Sequence, residues 1–336
     1  MRIALLAPLR HPITEPFAGG LERHTYLLGK LLQQQGHEVV LYARPESDER
    51  FSLRPCSPEG NGLLAQARAY HRALSHIKAG DYDAVHDNSI HFLPPLLAGR
   101  LACPMVTTLH TPPYRSHRWA ARLGYAKNHR FVSISRHLHD RWASVVGKHN
   151  VIHNGIEAQR WPFGASPQPR TTVWYGRLTP EKGAEYAIAA ARRAGYRLTL
   201  AGPVTDRNYF ERKIKPELDE SVTYAGHLDQ AELGRLVASA SVGLVTSVWD
   251  EPFGLVYLEM PACGTPVAAF ASGAAREVLT ATTGTVVPKY DVEALAQVLG
   301  SVANKDRQLA RRTVLKHFSA DRMAEQYQGL YEEARR

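Results

Sequence analysis

Short apolar or β-branched runs recur along the first half of the chain, at RIALLAP, HEVVLYAR, YDAVHDNS, PMVTTLH, RFVSISR and NVIHNGI, with helical stretches between them. The second half repeats the pattern with TTVWYGRL, RLTLAGP, VTYAGHL, VGLVTSVW, TPVAAFA and GTVVP, separated by amphipathic segments such as EYAIAAARRAG and QAELGRLVASA. Continuous apolar strands alternating with helices predict parallel sheets covered on both faces. Each half therefore reads as a doubly wound α/β domain. Between them, residues 160–172 (RWPFGASPQPRTT) carry Pro162, Pro167 and Pro169 without apolar periodicity, which predicts a linker. The expected division is residues 1–160, a linker at 161–172 and residues 173–317. Met323, Tyr327, Leu330 and Tyr331 have helical spacing and predict a final helix within 318–336. Ligands of open α/β sheets collect outside the carboxyl ends of the strands, so two such domains facing one another would form a cleft, and motifs just after strands carry most interest.

Composition adds bounds. A chain of 336 residues is about twice the usual single-domain length, and its 44% hydrophobic and 22% charged content is that of an ordinary globular protein. The opening MRIALLAPLRHP has too short an apolar run for a secretory leader, and no stretch of about eighteen apolar residues follows. Cys56, Cys103 and Cys263 form neither a disulfide framework nor a zinc pattern. These features predict a cytoplasmic protein with reduced thiols. The net charge of +9 lies in the first half, where residues 1–160 hold 20 Lys and Arg against 12 Asp and Glu. A basic half suits nucleic acid, an anionic membrane face or an acidic substrate, and charge alone does not choose.

The stretch EPFGLVYLEMPACGTPV, residues 251–267, follows a predicted strand. Pro252 suits a first helical position, which places Glu251 at a helix mouth and gives Phe253, Gly254 and Leu255 free N–H groups at its positive end, a phosphate site. Eight residues of helix from Glu251 to Glu259 rise about 12 Å, the size of a nucleotide sugar and too far for a close pair of catalytic carboxylates.

This stretch resembles the motif of two glutamates separated by seven residues in glycosyltransferase family 4, a family of retaining enzymes with the GT-B fold. GGLERHTYLLGKLLQQQGHEVVLY resembles the family's glycine loop, first helix and second strand; SISRH and VIHNGIE resemble later strands of its first domain; YGRLTPEKG resembles its basic phosphate clamp. The resemblance spans nearly the whole chain and implies a GT-B architecture, two Rossmann-like domains facing across a cleft, with the last helix crossing back toward the first. It implies transfer of a hexosyl unit from a nucleotide diphosphate sugar, UDP favoured and GDP an alternative, to a hydroxyl of a glycan, a lipid-linked or a small-molecule acceptor. It assigns Glu251 to the hexose hydroxyls, Glu259 to the ribose, Arg177 and Lys182 to the diphosphate, and Gly19, Gly20 and Gly202 to the donor's surroundings. His110, at a strand end, would lie beside the donor sugar and stabilise developing positive charge. No metal and no cofactor are implied; Asp81-Tyr82-Asp83, formally a DxD, reads as a strand start. Arg177 and Lys182 read otherwise as surface charges, Gly19 and Gly20 as a plain turn, and His110 as a structural histidine. Two departures from the family's pattern stand out. Pro261 within LEMPACG should kink or end its helix, and Arg276 stands where the family has a proline.

Residues 110–142 hold seven Lys or Arg against one Asp, with Arg115, Arg118 and Arg122 in a helical stripe beside Trp119 and Leu123. One expectation is a basic amphipathic surface that touches an anionic bilayer on the inner membrane face or a lipid-linked acceptor; the other is a solvated helix whose tryptophan packs in the core. The competing functional classes are a non-catalytic, RNA- or anion-binding protein and a nucleotide-sugar epimerase. No nucleic-acid motif supports the former, so no nucleic-acid partner is expected.

Overall fold

The computed structural model describes residues 1–335 apart from residues 61 and 125. The chain divides into two units: Met1–Gly155 with Ala320–Arg336, and Ile156–Ser319. Unit 2 is thus an insertion between two pieces of unit 1.

Unit 1 is built on β1 (Arg2–Leu6), β2 (Glu38–Ala43), β3 (Ser52–Pro55), β4 (Ala84–Asp87), β5 (Met105–Leu109), β6 (His129–Ser133) and β7 (Asn150–Val151). They form one parallel sheet in the order β3-β2-β1-β4-β5-β6-β7. The order reverses between β1 and β4, the topological switch point where doubly wound sheets bind ligands. β3 escapes the hydrophobic pattern because it is an edge strand with mostly exposed residues. The Gly20–Gln34 helix and the final Ala320–Arg335 helix cover the same face, and Tyr327 and Tyr331 are buried in a core with Ile3, Leu5, Leu28 and Val132.

Unit 2 contains β8 (Thr171–Tyr175), β9 (Arg197–Ala201), β10 (Val222–Tyr224), β11 (Val242–Val245), β12 (Val267–Phe270) and β13 (Gly284–Val287), all parallel in the order β10-β9-β8-β11-β12-β13. Its switch point lies between β8 and β11. The strands are short, and β11 and β12 inside the sheet are fully buried, as strands covered on both faces require.

The stretch 161–172 is not a linker. Trp161 is buried, Gly164 donates its N–H to the Cys263 carbonyl at 3.0 Å, and Gln168 donates its N–H to that of Ser239 at 2.8 Å. Arg307, itself buried, donates to the carbonyls of Gly164 (2.6 Å), Ala240 (2.9 Å) and Ala238 (2.8 Å) and to the Thr265 hydroxyl (3.0 Å). The prolines there are compatible with this packing because, ahead of β8 at Thr171, the segment's polar groups are satisfied by arginine side chains and neighbouring loops instead of a ladder. The chain passes between units at residues 155–156 and again at 319–320.

Candidate functional site

In unit 2 the predicted residues gather at the carboxyl edge, on the two strands that flank the switch point. Arg177 and Lys182 follow β8; Glu251 and Glu259 follow β11. The Glu181 carbonyl ties the two segments together by accepting from Val248 N–H (2.9 Å), Trp249 N–H (3.3 Å) and the Ser247 hydroxyl (3.2 Å). Across this junction Lys182 Nζ donates to Glu251 Oε1, and the Ser247 hydroxyl donates to the same oxygen at 2.9 Å. The two side chains retain only 24% and 13% exposure. Two residues expected to meet separate parts of a donor are therefore bonded to one another.

Glu259 is 5% exposed, and its Oε2 accepts from the Tyr175 hydroxyl at 2.8 Å. Tyr175 ends β8, one residue before Gly176 of the basic motif. Arg177 is exposed, and its nearest ion pair, to Glu181, is a loose 4.0 Å. Lys289 donates to the Val248 carbonyl and to Asp250, both at 3.1 Å, fixing the exit loop of β11 from the far side.

The helix after β11 does not begin at Pro252. It spans Val256–Ala262, because Gly254 takes φ +79 and a left-handed residue breaks helical continuity. Only Glu259 lies on the helix; Glu251 sits in the loop ahead of it, so the rise per residue does not set their separation. Phe253 is 2% exposed and stacks edge-on to Phe318 at 6.2 Å, so its side chain anchors the loop in the core. A Cβ at Gly254 would strike the Tyr257 ring. Leu255 is the N-cap residue, and its carbonyl accepts from Glu259 N–H at 3.0 Å. Pro261 stands in the last turn and the helix ends one residue later, where Cys263 N–H reaches back to Glu259 and Met260. Gly202, at the end of β9, has φ +129, and a Cβ there would collide with the Gly176 carbonyl. Its glycine is explained by this approach of two backbones.

In unit 1, Gly19 and Gly20 cap the first long helix and are exposed. Gly19 has φ −170, an extended conformation open to any residue. His110 follows β5 and is 9% exposed, its Nε2 lying 2.8 Å from Asn88 Oδ1. Burial, then the neighbouring rings of His24 and His86, holds its pKa well below the usual histidine value, so the imidazole is neutral at pH 7. Asp83 accepts from Arg2 N–H (2.7 Å) and pairs with Arg335 (2.6 Å), a structural role at the start of β4. Among the described residues no group of three His, Cys, Asp or Glu is placed to hold a metal ion.

The Arg115–Leu123 helix does not bury its tryptophan. Trp119 is 63% and Leu123 70% exposed, and only Ala120 and Ala121 face inward. Arg115, Arg118 and Arg122 are exposed beside them, Arg122 reaching the Ser144 carbonyl at 3.2 Å.

Two family models match the chain: "Glycosyltransferase Family 4" over residues 18–160 and "Glycosyl transferases group 1" over residues 155–315. A glycogen synthase of Mycobacterium tuberculosis is 30% identical, over 93% of this chain and 88% of its own length. The chain belongs to glycosyltransferase family 4. This family 4 chain is also similar to a phosphatidyl-myo-inositol mannosyltransferase of Mycolicibacterium smegmatis, at 26% identity over 91% of this chain and 86% of that one. The structure of Anabaena HepE in complex with UDP-glucose superposes with a TM-score of 0.75, at 19% identity, covering 99% of this chain and all of the other. The fold is GT-B, and the protein is a glycosyltransferase.

Sequence reading missed Tyr175, Ser247, Lys289 and Asn88. Tyr175 opens the YGRLTPEKG motif and Ser247 precedes the glutamate motif by four residues, which is the one signal available for them. Asn88 and Lys289 reach their partners only through the fold.

Proposed function

We propose that this glycosyltransferase moves a hexosyl unit from a nucleotide diphosphate sugar, UDP in the first instance and GDP as the alternative, with retention of configuration and without a metal ion or further cofactor. The Lys182–Glu251 pair at the switch point of unit 2 carries the reading. An ammonium has three donors, so Lys182 can keep Glu251 and still give a hydrogen bond to a donor phosphate. Glu251 Oε2 then accepts from hexose hydroxyls while Ser247 holds Oε1. Glu259, steadied by Tyr175, takes the ribose, and Arg177 adds charge at the diphosphate. In the transfer, the bond from the anomeric carbon to the phosphate oxygen breaks as the acceptor oxygen bonds to the same face of that carbon. The acceptor's proton passes to the departing phosphate. Cationic groups that meet the growing phosphate charge lower the barrier without a metal. The neutral His110 would stand beside the sugar as it becomes positively charged.

The test is nucleotide-dependent thermal stabilisation in EDTA against UDP, GDP, ADP, TDP and CDP and their sugars, followed by turnover and by NMR of the product anomer. Stabilisation by one nucleotide that is lost in Glu259→Ala and Arg177→Ala supports the donor site. No shift with any nucleotide, an absolute need for metal, or an inverted product each removes the corresponding part of the reading.

A lipid-linked acceptor at an anionic bilayer is the acceptor reading that an observation favours. Among the described residues, the exposed large apolar side chains of unit 1 are Leu63, Leu64, Tyr114, Trp119 and Leu123, three of them at or on the helix that carries Arg115, Arg118 and Arg122. Aromatic and basic groups together suit the headgroup region. Flotation with anionic liposomes, abolished by R115E/R118E/R122E, supports peripheral membrane contact, and absence of flotation removes it.

A further inference from the structure

Asn88 stands at the end of β4, beside the switch point of unit 1, with its backbone N–H bonded to the Leu6 carbonyl of β1 at 2.9 Å. The loop around it is tightly held. Asp87 Oδ1 accepts from Ser89 N–H at 3.0 Å, and Ser89 Oγ accepts from His91 N–H at 3.2 Å. Ile90 has φ +47, a left-handed conformation that costs a β-branched residue about 1–3 kcal/mol. Strain of this kind persists where the surroundings over-determine it.

The Asn88 side chain is fully buried between two imidazoles. Its Oδ1 lies 2.8 Å from His110 Nε2 and 3.1 Å from His86 Nε2. With Oδ1 facing them both ring nitrogens carry protons, since an amide oxygen only accepts, and this orientation leaves Asn88 Nδ2 buried with no partner among the described residues. The opposite edge of His86 agrees: its Nδ1 lies 2.7 Å from the Tyr331 hydroxyl, and a phenol can donate there to a bare nitrogen. Thr108 Oγ1, 3.1 Å from His86 Nε2 and 3.1 Å from the Tyr327 hydroxyl, closes the network. One side-chain amide thus holds two buried rings in the same tautomer.

We infer that Asn88 is a positioning residue for His110: its Oδ1 locks the imidazole in the Nε2-protonated tautomer and leaves the Nδ1 lone pair free to accept from a donor hydroxyl or face a positively charged sugar ring. Nδ1 has no hydrogen-bond partner among the described residues. The tautomer follows from the structure of unit 1 alone, whereas the role of the lone pair rests on the transferase reading above. A histidine held in the wrong tautomer fails as a general base however well it is placed, and the same logic applies to an acceptor.

The first measurement is the nitrogen-15 spectrum of the histidine-labelled full chain without substrate, with the His110 signals assigned by their loss in His110→Gln. Protonated Nε2 and bare Nδ1 are expected; a proton on Nδ1, or rapid averaging between the two forms, overturns the inference. In Asn88→Leu the His110 tautomers should mix. Its kcat should fall about tenfold or more while donor KM stays within about twofold. A pure Nε2-protonated His110 in Asn88→Leu, or a loss confined to KM, overturns it as well. If the spectra come out as expected but no nucleotide sugar is turned over by the unaltered protein, it is the transferase reading of His110 that fails and the tautomer lock that stands.

Discussion

Glu251 shows how a residue recognised by spacing acquires a different local meaning once its neighbours are known. The family resemblance makes it an expected sugar ligand; the fold adds that Lys182 and Ser247 already hold one of its two oxygens. Glu251→Gln should lower kcat on the order of 100-fold, since a neutral amide neither pairs with Lys182 nor accepts as strongly, and steady-state kinetics with the donor that stabilises the protein will show it. Tyr175→Phe removes only the hydrogen bond to Glu259, and an interaction worth about 1.5–3 kcal/mol to a charged group should weaken donor affinity by about 10- to 150-fold, measurable by calorimetric titration. The two glutamates, Arg177 and Lys182 can be picked out of the sequence because they belong to contiguous motifs, and the fold gathers them after β8 and β11. Tyr175 lies 84 residues from Glu259 and Lys289 lies 39 from Asp250, and a hydrogen bond across such separations leaves no periodic trace.

At the scale of elements, strands covered on both faces were legible because burial demands unbroken apolar runs. β3 was not, since an edge strand needs no such run. The start of the Val256–Ala262 helix was misplaced for another reason: Pro252 suits a first turn, but the left-handed Gly254 that follows overrules it. The 161–172 segment looked like a linker because it lacks periodicity, and it is held by side-chain donors that periodicity cannot reveal. Arg307, from a buried position, donates to the Gly164 carbonyl of that segment and ties it to Ala238, Ala240 and Thr265. Arg307→Met should leave buried carbonyls unpaired and destabilise unit 2 by about 3 kcal/mol, read as a lower midpoint in urea without a change in slope.

The whole molecule divides its titratable groups unevenly. Fourteen of the sixteen histidines belong to unit 1, and burial lowers His24 and His129 to about 4. Below pH 6.5 the unfolded chain takes up protons at these rings and the folded unit does not, so stability is complete above about 6.5 and is lost as pH falls toward 4. Each such histidine contributes about 3 kcal/mol to that loss. Asp87 opposes it: burial raises its carboxyl to about 6, so its protonation favours the folded state as pH falls from about 6 toward its ordinary value. The histidines outnumber it. Calorimetry between pH 7 and pH 5 should show the transition of unit 1 moving to lower temperature while that of unit 2 stays nearly still, and parallel movement of both would contradict this account.

The two-part make-up of unit 1 bears on the order in which the protein is made. A ribosome finishes all of Ile156–Ser319 before it reaches Ala320, so unit 2 can close its sheet while unit 1 still lacks the helix that brings Tyr327 and Tyr331 into its core. Until residues 320–336 emerge, the nascent first unit exposes the apolar face of β1 and of the Gly20–Gln34 helix to whatever binds unfinished chains. Residues 1–155, although translated before unit 2, are therefore among the last to become resistant to protease.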